Sequence, residues 1–286
     1  MSEGVVRTDG IVAPAIPRPR TGGLGVAGLR PSEADRSERF AAVRAGDLGS
    51  VHSWELVTAV DGPGTRMTVF LAGCPLQCLF CHNPDTMQMR RGTPVEADEV
   101  LARIKRYRSV FRASGGGLTV SGGEPLMQPG FTARLLRGAK EMGIHTALDT
   151  SGFLGAACTD EMIADLDLVL LDVKSGLPET YRKVTGRDLA PTLDFGRRLA
   201  QAGKTIWLRF VLVPGLTDAW ENVEAVADYA ASLPVARVDV LPFHQMGRDK
   251  WAELGMTYQL EDTTPPDEDL LTRVRGQFQA RGLTVR

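Results

Sequence analysis

Cysteine is scarce in this chain, with four in 286 residues. That is too few for a disulfide framework, and the clustering of three of them suggests free thiols in a reducing compartment, so a cytoplasmic protein is expected. No apolar run approaches the roughly 18 residues that a membrane-spanning helix needs. A signal peptide is not expected either, because Glu3 and Asp9 come early and prolines interrupt the apolar residues that follow. Excess charge is also missing: 33 basic and 35 acidic residues leave a net charge of −2. Nothing electrostatic therefore favours nucleic acid or an anionic membrane as a partner. What remains, 43% hydrophobic and 24% charged residues, describes a soluble globular chain with material for one sizeable core.

The first 47 residues differ in texture. The stretch "IVAPAIPRPRTGGLGVAGLRPSEADRSERF" is rich in Pro, Gly and Arg and has no sustained periodicity. It reads as a disordered extension, residues 1–47, ahead of a core domain over residues 48–286.

Beyond it, β-rich runs alternate with helical patterns. "RMTVFLAG" (66–73), "GLTVSG" (117–122), "HTALDT" (145–150), "LDLVLLDV" (166–173), "IWLRFVLVP" (206–214) and "RVDVLPF" (237–243) have apolar, branched centres and predict buried parallel strands. Between them, "EADEVLARIKRYRSVF", "GFTARLLRGAKEMG", "LDFGRRLAQAG" and "AWENVEAVADYAASL" repeat apolar residues at helical spacing, and Gly143 and Gly203 stand where helices would stop. Parallel strands need crossover connections, so the alternation predicts an α/β fold, either a barrel or a doubly wound sheet. Cys74, the run Ser121 to Glu124, Asp149, Thr150, Asp172, Lys174 and His244 all fall at C-terminal strand ends. In α/β barrels that rim is where sites are assembled.

The stretch "GCPLQCLFCHNP" places Cys74, Cys78 and Cys81 within eight positions. Thiolates are soft donors suited to zinc or to iron-sulfur clusters. A structural zinc site would need a fourth local ligand, and His82, adjacent to Cys81, is poorly placed to turn its ring to the same metal. Cys158 lies far along the chain and reads as a buried small hydrophobe. Three thiolates on a four-iron cluster would leave one iron open. A structural knot around zinc or a cluster remains the alternative from a different functional class.

The CxxxCxxC spacing resembles that of the radical S-adenosylmethionine superfamily. The run from "VHSWELVTAVDGPGTRMTVFLAGC" onward, with "CHNPDT", "ASGGGLTVSGGEPL", "GIHTALDTSGF", "LVLLDVK", "VPGLTD" and "LPFHQMGRDKW", resembles the pyruvate formate-lyase activating enzymes over about residues 51–286. The resemblance implies a partial (β/α)6 TIM-like barrel. It implies a 4Fe-4S cluster on Cys74, Cys78 and Cys81, with S-adenosylmethionine chelating the open iron. Phe80 and His82 would lie along the adenosyl group, and Gly122, Gly123 and Glu124 would receive the methionine amino end. Asp172, Val173, Lys174, Ser175, Gly176 and His244 would make further contacts to this cosubstrate. Asp149, Thr150, Asp172 and the Val173 carbonyl would hold a monovalent cation. The implied activity is reductive cleavage of S-adenosylmethionine to a 5′-deoxyadenosyl radical that abstracts a glycine α-hydrogen in a partner such as pyruvate formate-lyase. A one-electron donor such as flavodoxin or ferredoxin would supply the electron. Alternatives within enzymes are activation of another glycyl radical enzyme or a small-molecule substrate.

Overall fold

The computed structural model describes residues 25–33, 35–58 and 61–286. Eight strands form one sheet: β1 (Leu48–Thr58), β2 (Thr65–Leu71), β3 (Thr93–Glu96), β4 (Gly117–Gly122), β5 (His145–Thr150), β6 (Leu168–Asp172), β7 (Thr205–Leu212) and β8 (Val235–Pro242). Their order is β3-β1-β2-β4-β5-β6-β7-β8. The six strands expected from the sequence are β2 and β4 to β8, and every neighbouring pair among them is parallel. They lie side by side in chain order. A doubly wound sheet would reverse that order at a switch point, so the winding is that of a barrel, left open between β8 and the β1–β3 ribbon.

Alternation along the strands divides the interior. Met67, Val69, Leu118, Val120, Val169, Leu171, Leu208 and Phe210 point outward into a continuous core with the helices. Burying each such large side chain contributes about 1.5–3 kcal/mol. The opposite positions face the barrel axis: Ala147, Leu168 and Leu170 with Trp207 fill part of it. Ser121, Asp149, Asp172 and Arg209 have the same inward parity closer to the C-terminal ends.

The helices are α1 (Arg36–Ala45), α2 (Ala97–Arg106), α3 (Arg108–Ser114), α4 (Pro129–Glu141), α5 (Asp160–Ala164), α6 (Pro178–Thr185), α7 (Ala190–Gln201), α8 (Trp220–Ala231), α9 (Arg248–Glu253) and α10 (Glu268–Gln279). The single helix expected over residues 96–111 breaks at Tyr107, whose φ of −98° and ψ of 6° separate α2 from α3. Gly143 and Gly203 do end α4 and α7, at φ of +67° and +66°, conformations that other residues adopt only with strain.

The expectation of disorder over residues 1–47 is corrected for its second half; residues 1–24 lie outside the described residues. Asp35 and Glu38 form a reciprocal cap at the start of α1, each side chain accepting from the other's backbone N–H at 2.9 and 3.1 Å. Helix α1 packs on α4 and β1. Leu29 is buried in the main core, and the Trp54 indole N–H donates to the Ala27 carbonyl at 3.0 Å. Pro31 bridges Val95 on the outer edge of β3. At the other end of the sheet, Val238 of β8 accepts and donates backbone bonds with Arg286 and Thr284. Both edges that an open barrel would expose are thus covered by segments near the chain ends.

Candidate active site

The cysteines lie on the loop after β2, and that loop is held from three sides. The backbone N–H groups of Gly73 and Cys74 donate to the Thr86 and Met87 carbonyls at 2.7 and 3.0 Å. Those of Gln77 and Leu79 donate to Thr185 and Val184 at 2.9 and 3.0 Å, at the end of α6. On the third side, the Trp251 indole N–H of α9 donates to the Cys81 carbonyl at 2.9 Å. Leu76, Cys78 and Phe80 pack in a small apolar cluster with Val184, Val213 and Phe243. All four cysteines are free thiols. Burial pushes all three loop thiols above their ordinary pKa, Cys81 to about 12. They ionise only when a metal centre compensates the lost hydration.

Among the described residues, no three His, Cys, Asp or Glu side chains are gathered closely enough to hold one metal ion. Cys74, Cys78 and Cys81 instead line one cavity at the C-terminal end of the sheet, together with Phe80, His82, Gly122, Gly123, Asp149, Thr150, Asp172, Lys174 and His244. The His82 and His244 rings meet edge to face at 4.7 Å. Cys158 is fully buried in the main core, away from this cavity.

The two glycines after β4 have a steric cause. A Cβ at Gly122, where φ is +125°, would lie 2.2 Å from the Leu71 backbone, and one at Gly123 would lie 2.4 Å from the Gly73 carbonyl. The Gly123 and Glu124 N–H groups donate to the Leu71 and Gly73 carbonyls, both at 2.8 Å. The motif thus fixes the residue immediately before Cys74 by backbone-to-backbone contact.

Glu124 departs from expectation. Its side chain is fully buried and lies outside the cavity lining. One carboxylate oxygen accepts from the Thr150 hydroxyl at 2.7 Å and the Leu126 N–H at 3.1 Å; the other accepts from the Ser151 N–H at 2.9 Å and its hydroxyl at 2.5 Å. It ties the end of β4 to the end of β5 rather than facing a ligand. Val173, Ser175 and Gly176 also lie outside the lining. Val173 packs in the main core, while the Ser175 hydroxyl and Gly176 N–H donate to Asn222 of α8 at 2.6 and 2.9 Å. These residues anchor the segment after β6 instead of presenting it to the cavity.

The cavity carries three carboxylates, Asp61, Asp149 and Asp172, against two cations, Lys174 and Arg209. Asp149 pairs with Arg209 at 2.9 Å and accepts from the Ser121 hydroxyl at 2.7 Å; Asp172 pairs with Lys174 at 2.9 Å. These contacts engage both Asp149 oxygens; of the residues expected to hold a monovalent cation, Asp149, Thr150 and Asp172 line the cavity and Val173 does not. Burial raises the Asp149 pKa, with Asp172 and Asp61 adding to it against Arg209. Burial also disfavours the Asp172 carboxylate, yet Lys174 and Arg209 outweigh it and hold its pKa low. Burial alone would lower the Lys174 pKa, but Asp172 and Cys78 raise it instead. With one more carboxylate than cation, the wall favours a ligand carrying positive charge.

The Radical SAM superfamily profile matches residues 68–230. The pyruvate formate-lyase-activating enzyme of Listeria monocytogenes serovar 1/2a is 43% identical over 233 residues, spanning 78% of this chain and 93% of the relative. The pyruvate formate-lyase 1-activating enzyme of Escherichia coli K12 is 36% identical over 241 residues, spanning 83% and 98%. The chain belongs to the pyruvate formate-lyase-activating enzymes of the radical SAM superfamily. A solved domain of such an activating enzyme from Bacteroides vulgatus superposes with a TM-score of 0.51 at 26% identity, covering 60% of this chain and 98% of that one. A radical SAM methyltransferase from Sphaerobacter thermophilus shares the fold at a TM-score of 0.58 and 17% identity, covering 91% and 76%.

Radical SAM enzymes use a 4Fe-4S cluster and S-adenosylmethionine, and the residues present fit both. One buried and two half-buried free thiols lining the same cavity suit an iron-sulfur cluster. The excess of carboxylates suits a sulfonium and an amino group. Sequence reasoning missed Arg209 and Asp61. A lone arginine inside the apolar run "IWLRFVLV" was the available signal for the first, because a buried strand spends a charge only where it meets a partner.

Proposed function

We propose that this protein generates a glycyl radical on a partner enzyme of the pyruvate formate-lyase type. The observation that carries the reading is the cysteine loop set against an acidic cavity, in a chain 36% to 43% identical to activating enzymes along most of their length. When bound, the reduced cluster and S-adenosylmethionine supply a 5′-deoxyadenosyl radical that takes the glycine α-hydrogen. Cys74, Cys78 and Cys81 would hold the cluster. The Gly122–Gly123 backbone and Asp172 border the methionine end of the cosubstrate, and Phe80, His82 and His244 border its adenosyl end. Lys174 holds Asp172 ionised. Asp149, Ser121 and Arg209 form the inner wall against which the glycine segment is positioned. A one-electron donor protein of the flavodoxin or ferredoxin type reduces the cluster. The enzyme works in the cytoplasm, in keeping with free thiols; no helix among the described residues is long and apolar enough to cross a membrane.

The test mixes reconstituted protein, dithionite, S-adenosylmethionine and pyruvate formate-lyase without oxygen. Methionine, 5′-deoxyadenosine and a carbon-centred radical on the partner are expected. Deoxyadenosine without a radical on the partner would overturn the reading in favour of a small-molecule substrate.

A further inference from the structure

One carboxylate outside the cavity joins three distant stretches of chain behind the cysteine loop. After Cys81 the chain turns through Pro84–Thr86 and comes back to the start of the loop. The Thr86 hydroxyl and N–H donate to the Asn83 carbonyl at 2.8 and 3.0 Å, while the Thr86 and Met87 carbonyls accept from the Gly73 and Cys74 N–H groups. The turn therefore joins the Cys81 end of the loop to its Cys74 end. Asp85 is the middle residue of that turn. One of its oxygens accepts from His52 Nε2 of β1 at 3.0 Å, and the other pairs with the Lys250 ammonium of α9 at 3.4 Å. The same ammonium donates to the Asn83 side-chain oxygen at 2.9 Å. Helix α9 also begins against the loop: a Cβ at Gly247, the residue ahead of it, would lie 2.9 Å from the Cys81 carbonyl oxygen. The Asp85 and Lys250 side chains are 25% and 14% exposed, so water screens their charges incompletely. Neither residue lines the cavity.

The field of this arrangement reaches the last cysteine. Burial raises the Cys81 pKa, Cys78 and Asp85 add to it, and a hydrogen bond from the Asn83 backbone, with Lys174, favours the thiolate. Asn83, whose side chain Lys250 holds, thus also supports the Cys81 sulfur. Burial disfavours the Asp85 carboxylate as well, yet His52 and Lys250 outweigh it and hold its pKa below the ordinary value. We infer that Asp85 and Lys250 form a counter-charged pair that positions the Cys81 end of the cysteine loop and sets the reduction potential of the cluster held there. The inference rests on the proposed function, which puts a cluster on this loop, and adds two positioning residues that tune it. Net charge and hydrogen bonds to the cysteine sulfurs are the levers by which a protein sets such a potential. Asp85 alone would make an added electron less favourable. Lys250 offsets that charge and fixes Asn83, the donor to the Cys81 sulfur.

The experiment is an anaerobic redox titration of the reconstituted full chain with mediators, in which cluster reduction is followed by electron paramagnetic resonance. Asp85→Asn and Lys250→Gln should each still bind about four irons. At a fixed applied potential, the ratio of reduced to oxidised cluster should rise several-fold in Asp85→Asn and fall several-fold in Lys250→Gln. The double variant, which changes no net charge, should return close to the unaltered protein. A merely bracing role carries no sign, so shifts of both single variants in the same direction, or unchanged ratios, would overturn the inference. If a single variant assembles no cluster, the double variant decides: a cluster at nearly the unaltered potential upholds the pair, and failure of the double variant to assemble one would overturn it. Failure of the proposed function would look different, as an absent partner radical in the unaltered protein while the two single variants still shift in opposite directions.

Discussion

Replacing Glu124 by glutamine tests whether this residue positions the site or touches its ligand. Each carboxylate oxygen accepts one hydroxyl and one backbone N–H: Thr150 Oγ1 and Leu126 N on one side, Ser151 Oγ and Ser151 N on the other. A hydroxyl can rotate to accept from the new amide, but a backbone N–H cannot. Whichever way the amide turns, one buried N–H is left without an acceptor, at about 1–3 kcal/mol. The remaining bonds also lose the reinforcement of a charged acceptor, so the total is about 2–4 kcal/mol. At about 2–4 °C per kcal/mol for a chain of this size class, the unfolding midpoint should drop by about 4–16 °C. Anaerobic calorimetry reads that shift, and equilibrium binding of S-adenosylmethionine is measured on the same sample. A midpoint unchanged within about 1 °C, together with a tenfold or greater loss of S-adenosylmethionine affinity, would refute the reasoning and return Glu124 to the ligand wall.

Truncation to begin at residue 48 should lower the unfolding midpoint by several degrees. It uncovers the contacts of Leu29, a loss of about 1.5–3 kcal/mol, and the outer edge of β3; an unchanged midpoint would show that α1 and its lead-in add nothing. Trp251→Phe keeps an aromatic ring, though a smaller one, and deletes the N–H that meets the Cys81 carbonyl. It should still load about four irons yet release them to a chelator several-fold faster, and an unaltered release rate would contradict the bracing role. Burial, with Arg66 beside it, holds the His145 pKa below 6.5 in the folded protein. The unfolded chain therefore binds this proton first, and stability falls as pH drops through about 6.5 towards the folded value. The denaturant midpoint of His145→Asn should decline less than that of the unaltered protein between about pH 7.5 and about pH 5.5, and equal slopes would remove His145 from the pH response.

Much of this architecture is legible in the sequence, for physical reasons. Strands β2, β4, β5 and β6 are buried on both faces and so appear as apolar, branched runs, and Gly143 and Gly203 are legible because few residues other than glycine end a helix at positive φ. Strand β1 escaped notice because its register shifts between Val51 and Ser53, which breaks the alternation, and β3 because it has only four residues, one of them Pro94. The segment 25–47 looks like a tail by composition, and its order comes from tertiary contacts such as Leu29 in the core. Only the Asp35–Glu38 cap was a local signal there. Within the site, the cysteine loop and most of the cavity wall could be located from strand ends, since sequence shows which residues reach the rim. It does not show which way they turn. That is why Glu124, Ser175 and Gly176 were assigned to the ligand although their partners are Thr150, Ser151 and Asn222.

Direct hydrogen abstraction from a glycine leaves a label that nothing else in the reaction produces. Pyruvate formate-lyase carrying α-deuterated glycine is mixed with the reduced protein and S-adenosylmethionine under strict anaerobiosis, and the 5′-deoxyadenosine is analysed by mass spectrometry. The account predicts deuterium in its 5′ position, appearing together with the radical on the partner. Unlabelled 5′-deoxyadenosine accompanied by no partner radical would contradict it and mark the cleavage as uncoupled from glycine.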